Sequence, residues 1–132
     1  MSELPNPLLL CVDDEPRGLL MRRLLLESHG YRVLTAENGA DGIAILSAEA
    51  IDLVLLDYMM PFQDGGEVAG KMKGIKPAVP ILMLSAFVDL PSEVLANTDR
   101  FVIKGQSPAT LLSAVAELLN SSSTVSSHGP AT

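Results

Sequence analysis

The stretch Leu53-Val-Leu-Leu-Asp57 is an unbroken apolar run that ends in a carboxylate, and it decides the fold. Strands that are buried on both faces of a parallel sheet have this continuous apolar pattern. Three more runs of the same kind lie at residues 8–12, 81–84 and 101–103. A weaker run at residues 31–35 is rich in strand-forming residues and follows Gly30, which could end a helix. The sequence therefore predicts five strands in a parallel sheet.

The segments between these runs have the spacing of amphipathic helices. In the first, leucines recur at helical spacing and charged residues are expected on the opposite face: Leu19, Leu20, Leu24 and Leu25 against Arg17, Arg22, Arg23 and Glu27. Further helices are predicted at residues 41–49 and 67–73, and residues 90–97 leave room for little more than two turns. Each predicted strand is therefore followed by a helical segment.

The last helix has the clearest signals. Ser107 is a good N-cap, and Pro108 suits the first helical position. One apolar stripe follows, formed by Leu111, Leu112, Val115, Leu118 and Leu119. We expect the helix to end near Asn120, because residues 121–132 are rich in serine and have few apolar residues to bury. The predicted organisation is a flexible leader at residues 1–6, one domain at 7–120 and a disordered tail at 121–132.

Alternating strands and helices predict an α/β fold, a doubly wound five-stranded parallel sheet with helices on both faces. Such sheets place their functional sites at the carboxyl ends of the strands, next to the point where the strand order reverses. The polar side chains at those ends are therefore the candidates for function.

Five polar residues directly follow predicted strands: Asp13, Asp14, Asp57, Ser85 and Lys104. Three carboxylates in one cleft repel one another unless a cation lies among them or some are protonated. Mg²⁺ prefers oxygen ligands and would offset the repulsion among these carboxylates. Asp57 is then the natural nucleophile towards a phosphoryl donor, with Lys104 neutralising charge on the transferring group and Ser85 donating a hydrogen bond to it.

Four segments carry a resemblance to a known family: Leu9-Leu-Cys-Val-Asp-Asp-Glu-Pro16, Leu53-Val-Leu-Leu-Asp-Tyr-Met-Met-Pro61, Leu84-Ser-Ala86 and Phe101-Val-Ile-Lys104. Together, in this order and spacing, they resemble the response-regulator receiver domain of two-component signalling. The resemblance implies a flavodoxin-like receiver fold. It also implies a signalling domain that is phosphorylated by a partner protein, rather than an enzyme that turns over a substrate.

The resemblance assigns a role to each matched residue. Asp57 would be phosphorylated from a phosphohistidine of a sensor histidine kinase or a histidine phosphotransfer protein. Asp14, Asp57 and the backbone carbonyl of Met59 would bind Mg²⁺ directly, while Asp13 would act mainly through water. The hydroxyl and the aromatic ring of a switch pair, Ser85 and Phe101, would move together on phosphorylation and so alter a protein-interaction surface.

Two departures from the family pattern keep an alternative open. Members usually have a proline after the lysine, whereas Gly105 follows Lys104 here, and the stretch between Ser85 and Lys104 is short. These features would suit a receiver-like interaction module that no longer depends on phosphorylation. All five polar positions are present, which favours the phosphorylated form.

The sequence disfavours two other functions, a phosphatase and a nucleotide-binding module. Haloacid-dehalogenase-type phosphatases also form an aspartyl phosphate, but they have a second acid two residues later, where this chain has Met59. A nucleotide-binding module would need a glycine-rich phosphate loop after the first strand, where Asp13 and Asp14 stand instead.

Composition limits the partners and the compartment. The 132 residues have a net charge of -7 and a pI near 4.6, which disfavours direct nucleic-acid binding. The apolar runs are too short to span a membrane, the first residues do not form a signal peptide, and the single Cys11 fits a reducing compartment. We therefore expect a cytoplasmic protein that signals through an unknown downstream protein and could form a homodimer.

Overall fold

The computed structural model describes residues 6–61, 63–86 and 89–128, and for 122–128 it describes the backbone alone. Strands and helices alternate along the whole described chain. In order, they are β1 (Leu8–Val12), α1 (Pro16–Glu27), β2 (Arg32–Ala36), α2 (Gly39–Ala48), β3 (Leu53–Asp57), α3 (Gly65–Ile75), β4 (Ile81–Ser85), α4 (Ser92–Ala96), β5 (Arg100–Ile103) and α5 (Pro108–His128).

The five strands form one parallel sheet in the order β2-β1-β3-β4-β5. The chain runs from β1 outward to β2 and then returns to the other side of β1 to form β3. The strand order therefore reverses between β1 and β3, and a crevice opens at their carboxyl ends. The predicted doubly wound parallel sheet is confirmed.

The core consists of two apolar layers, one on each face of the sheet. Successive side chains of a strand point to opposite faces, so Leu10 and Val12 belong to one layer, whereas Leu9 and Cys11 belong to the other. Helices α2, α3 and α4 cover the first layer, and α1 and α5 cover the second. Both faces are buried, which explains why β1, β3 and β4 are apolar except for Asp57 and Ser85 at the carboxyl ends of β3 and β4. Burial raises the pKa of Cys11 to about 12, so the thiol acts as a core side chain.

The buried face of α1 differs from the prediction. Leu19 and Leu26 are buried, but Leu20 and Leu24 are each 52% exposed, so the expected inward stripe was partly wrong. A helix advances about 100° per residue, which places positions 19, 22 and 26 on one face. Arg22, expected on the solvent side, therefore lies on the inner face.

The end of α5 also differs from the prediction. The helix continues to His128 instead of ending near Asn120. The sequence has no glycine or proline between Asn120 and Gly129, so each further residue can add a backbone hydrogen bond. Residues 1–5 of the predicted leader and 129–132 of the predicted tail lie outside the described residues. The division of the chain at residues 6 and 120 stays a prediction.

Candidate functional site

Three carboxylates meet at the crevice between β1 and β3. Asp13, Asp14 and Asp57 each offer an oxygen atom, and these three oxygens all lie within 4.8 Å of one another. Asp13 and Asp57 are almost fully buried, whereas Asp14 is open to solvent. An all-oxygen, acidic donor set with one open side is chemically suited to a hard divalent cation such as Mg²⁺, which keeps several of its waters.

The ends of the strands hold these groups in place. The backbone N–H of Asp13 donates to the carbonyl of Ala36 at the end of β2, at 3.1 Å. Directly after β3, the backbone N–H of Tyr58 donates to the carbonyl of Leu84 at 2.9 Å. The sheet therefore extends its hydrogen bonding to the residues that carry the acidic side chains, and their positions follow from the strand register.

Lys104 brings a positive charge to the same crevice. Its Nζ lies 2.8 Å from Oδ1 of Asp57 and 3.5 Å from Oδ2 of Asp13. Its backbone N–H donates to the carbonyl of Ser85 at 2.8 Å, which ties the loop after β5 to the end of β4. Lys104 is thus anchored by its backbone and directed by its side chain towards Asp57.

The two buried carboxylates have opposite pKa shifts. Burial is the main cause that raises the pKa of Asp57, and the charge of Asp13 adds to it, while the nearby ammonium of Lys104 opposes the rise. Burial also acts to raise the pKa of Asp13. That effect is outweighed by the bonds from Arg22 and from the backbone N–H of Glu15, so the pKa of Asp13 is lowered. Of these two buried carboxylates, Asp57 is therefore the one whose negative charge is less well compensated by its neighbours.

The other predicted site residues lie on or directly after β3, β4 and β5. Ser85 is fully buried at the end of β4, where it is paired in register with Ile103. Phe101 lies two positions earlier on β5 and is half-buried. Met59 follows β3 in the loop, with its side chain 52% exposed. The structure thus places Met59 and Ser85 at the carboxyl ends of β3 and β4, beside the carboxylates, whereas Phe101 lies within β5. The switch role of Ser85 and Phe101 and the carbonyl ligand at Met59 stay predictions.

Sequence reasoning missed Arg22 as a part of this site. Its Nη2 donates to Oδ2 of Asp13 at 2.8 Å, and only 13% of its side chain is exposed. The helical spacing of position 22 between Leu19 and Leu26, both of which are apolar, was the signal that could have placed it on the inner face of α1.

Comparisons with known proteins decide the family. The profile of the family described as "Response regulator receiver domain" matches residues 9–116. The chain belongs to the response-regulator receiver family. Among curated relatives, the transcriptional regulatory protein ResD of Bacillus subtilis is 37% identical over 129 residues, which cover 96% of this chain and 53% of ResD. The transcriptional regulatory protein GlrR of Escherichia coli is 40% identical over 97 residues, which cover 74% of this chain and 22% of GlrR. The chain thus spans about half of the length of ResD and 22% of the length of GlrR.

Solved structures give the same assignment. A CheY-like response-regulator receiver domain protein from Methanospirillum hungatei aligns with a TM-score of 0.84 at 26% identity, over 90% of this chain and 98% of that one. The response regulator TrrA of Thermotoga maritima, in complex with Mg²⁺-BeF, aligns with a TM-score of 0.80 at 33% identity, over 85% and 98% of the two chains. Among the residues that the structure describes, no helix is both long and apolar enough to cross a membrane.

One glycine of the receiver domain holds α3 against the acidic site. A Cβ atom at Gly65 would lie 2.7 Å from the backbone oxygen of Asp57 and 2.7 Å from the Cα of Tyr58. The backbone N–H of Gly65 also donates to the carbonyl of Tyr58 at 2.7 Å. Only glycine permits this close approach between the start of α3 and the end of β3.

We expect Gly65→Ala to destabilise the domain by about 1–3 kcal/mol, because the new methyl group meets backbone atoms that cannot move without shifting Asp57. Gly74→Ala, in the same helix, is the matched control. A Cβ there meets nothing within 4 Å, so that change should stabilise the domain by about 0.5–1 kcal/mol. Urea unfolding of the two variants checks this. Equal stability of the two variants would show that α3 shifts freely at Gly65.

Proposed function

We propose that the chain accepts a phosphoryl group on Asp57 in a Mg²⁺-dependent reaction, as the receiver of a two-component or phosphorelay system. The observation that carries this proposal is the set of three carboxylate oxygens within 4.8 Å of one another, with the Lys104 ammonium 2.8 Å from Asp57. It combines a nucleophile, a site for a hard cation and a fixed positive charge in one crevice.

Each residue has a task in the proposed reaction. An oxygen of Asp57 attacks the phosphorus of the donor, and the bond from phosphorus to the donor's imidazole nitrogen breaks. Lys104 balances negative charge on the oxygens of the transferring group, and the buried Ser85 hydroxyl offers them a hydrogen bond. Asp13 and Asp14, with Asp57 and the Met59 carbonyl, would hold Mg²⁺, which supplies further neutralisation of phosphoryl charge when bound.

The partners follow from this chemistry. The phosphoryl donor would be a sensor histidine kinase or a histidine phosphotransfer protein. Phosphorylation would change the packing of Ser85 and Phe101 and so alter a surface for a downstream protein or for a second copy of the chain. The domain would act in the cytoplasm, where the buried Cys11 thiol suits reducing conditions, and would not itself bind nucleic acid, given its net charge of -7. It would catalyse no more than its own phosphorylation and dephosphorylation.

A second function is favoured by two features, the loop after β5 and the length of α4. Gly105 adopts a φ of 90°, a conformation that proline cannot adopt, and α4 has only five residues. A receiver-like module that binds its partner without phosphorylation would not need the family's usual geometry here. The intact acidic crevice favours the phosphorylated form.

Mass spectrometry of the intact protein separates the two functions. After incubation with acetyl phosphate and Mg²⁺, we expect a gain of about 80 Da, one phosphoryl group, that is absent when EDTA replaces Mg²⁺. Peptide mapping after reduction of the acyl phosphate should place the label on Asp57. If neither acetyl phosphate nor a cognate kinase labels the protein, the phosphorylation-independent module is the better description.

A further inference from the structure

Arg22 inserts a guanidinium into the acidic crevice from the inner face of α1. Its Nη2 donates to Oδ2 of Asp13 at 2.8 Å, while its Nη1 is buried without a hydrogen-bond partner among the described residues. The other arginine beside it, Arg23, is half-exposed and pairs with Glu27 on the outer face of the helix. Two adjacent arginines therefore have different environments, and only one of them reaches the site.

Gly18, one turn earlier in α1, makes room for this guanidinium. A Cβ at position 18 would lie 3.0 Å from Nη2 of Arg22 and 3.6 Å from Oδ2 of Asp13. A side chain of ordinary size at position 18 would occupy the space through which Arg22 reaches Asp13. Gly18 and Arg22 thus form one arrangement, a small residue beside a long cationic one.

Two cations share the same oxygen of Asp13. Oδ2 lies 2.8 Å from Arg22 and 3.5 Å from Lys104, while Oδ1 accepts the backbone N–H of Glu15 at 3.0 Å. Both oxygens of Asp13 are therefore engaged. Arginine stays charged at any pH that proteins experience, and its planar fork suits carboxylates. The charge that Arg22 places beside Asp13 is permanent.

We infer that Arg22 is a resident counter-ion of the acidic crevice, which stabilises the domain without metal and weakens its affinity for Mg²⁺. The inference rests on the proposed function, since it concerns the metal of the same reaction. A divalent cation among the three carboxylates must share Asp13 with the guanidinium and is repelled by it. At an effective dielectric constant near 20, unit charges about 4 Å apart interact strongly enough to change an affinity by tenfold or more.

A purely structural role for Arg22 predicts a different outcome. If the guanidinium only anchored Asp13, its removal would disorder a metal ligand, and the domain would lose both stability and Mg²⁺ affinity. A counter-ion instead opposes the metal, so its removal lowers the stability of the metal-free domain and tightens Mg²⁺ binding. Only for a counter-ion does its removal lower the stability of the metal-free domain and raise the affinity for Mg²⁺.

The experiment compares Mg²⁺ titrations of three variants with wild type. Binding is monitored through the NMR signals of the backbone amides of Asp14 and Tyr58. Arg22→Met keeps the apolar stem, Arg22→Gln keeps an amide donor for Asp13, and both remove the charge. Arg23→Met removes the same charge from the outer face of α1 as the matched control. We expect both Arg22 variants to lower the Kd for Mg²⁺ about tenfold, with a lower metal-free Tm, and Arg23→Met to stay within about twofold of wild type.

Unchanged or weaker Mg²⁺ binding by Arg22→Gln would overturn the inference, and so would an equal gain in Arg23→Met. Failure of the proposed function is seen in a different measurement, because the wild-type domain would then show no mass gain with acetyl phosphate and Mg²⁺. The Kd values for Mg²⁺ of wild type and Arg22→Gln test the counter-ion whether or not the domain is phosphorylated.

Discussion

Asp57→Asn is expected to abolish phosphorylation and, at the same time, to raise the Tm of the metal-free domain. The amide cannot act as the nucleophile, so the gain of about 80 Da with acetyl phosphate and Mg²⁺ should disappear. The change should also stabilise the fold, because Asp57 is a buried carboxylate beside Asp13. An increase of roughly 3–6 °C corresponds to about 1 kcal/mol for a domain of this size.

The pH dependence of this stabilisation has a definite sign. Burial and the charge of Asp13 raise the pKa of Asp57 in the folded state above its ordinary value. Near pH 7 the carboxylate is better solvated in the unfolded chain than in the folded domain, so its charge lowers the free energy of unfolding. That penalty disappears as the pH falls through the raised pKa. The difference in Tm between Asp57→Asn and wild type should therefore narrow on acidification, as measured by thermal unfolding without metal.

Asp89→Asn is the matched control for both measurements, because Asp89 is exposed in the loop before α4. It should keep full phosphorylation and a stability within about 0.5 kcal/mol of wild type. A lower Tm for Asp57→Asn would mean that the ion pair with Lys104 stabilises the fold more than the burial of the carboxylate destabilises it. Residual labelling of Asp57→Asn would point to another phosphoacceptor.

The sheet could be predicted from sequence because its physical cause is local. Strands β1, β3 and β4 are covered by helices on both faces, so nearly every residue in them must be apolar and the pattern is unbroken. Residues that directly follow such strands share one edge of the sheet. Asp13, Asp57 and Lys104 could therefore be placed together without knowledge of any contact.

The placement of Arg22 could not be predicted in the same way. Charge alone favours the solvent face, and the leucines of α1 outnumber the positions that the sheet can cover. Which leucines are buried depends on the rotation of the helix, and that rotation follows from tertiary contacts with β1 and β2. The distance from Arg22 to Asp13 is a property of the packed structure. The same holds for the glycine contact at the start of α3.

Lys104→Met is expected to slow phosphorylation of Asp57 by about 10²–10³-fold, the usual cost of removing one preorganised positive group from a site where charge develops. The effect is large because the ammonium lies 2.8 Å from Oδ1 of Asp57 while its backbone is fixed by the hydrogen bond to Ser85. The measurement is the rate of mass gain with acetyl phosphate at saturating Mg²⁺. Lys71→Met, on the exposed side of α3, is the matched control and should leave the rate unchanged.

Lys104→Arg tests whether charge alone is enough at this position. The guanidinium is a longer, planar fork, whereas the ammonium is a compact charge that approaches one oxygen of Asp57 and one of Asp13 from a single atom. The crevice already holds the guanidinium of Arg22 on Oδ2 of Asp13, the same oxygen that Lys104 approaches, so a second fork must displace it or remain outside. We therefore expect Lys104→Arg to restore only a small part of the lost rate. A rate within about fivefold of wild type for Lys104→Met would instead show that Arg22 and the metal together supply the positive charge that the reaction needs.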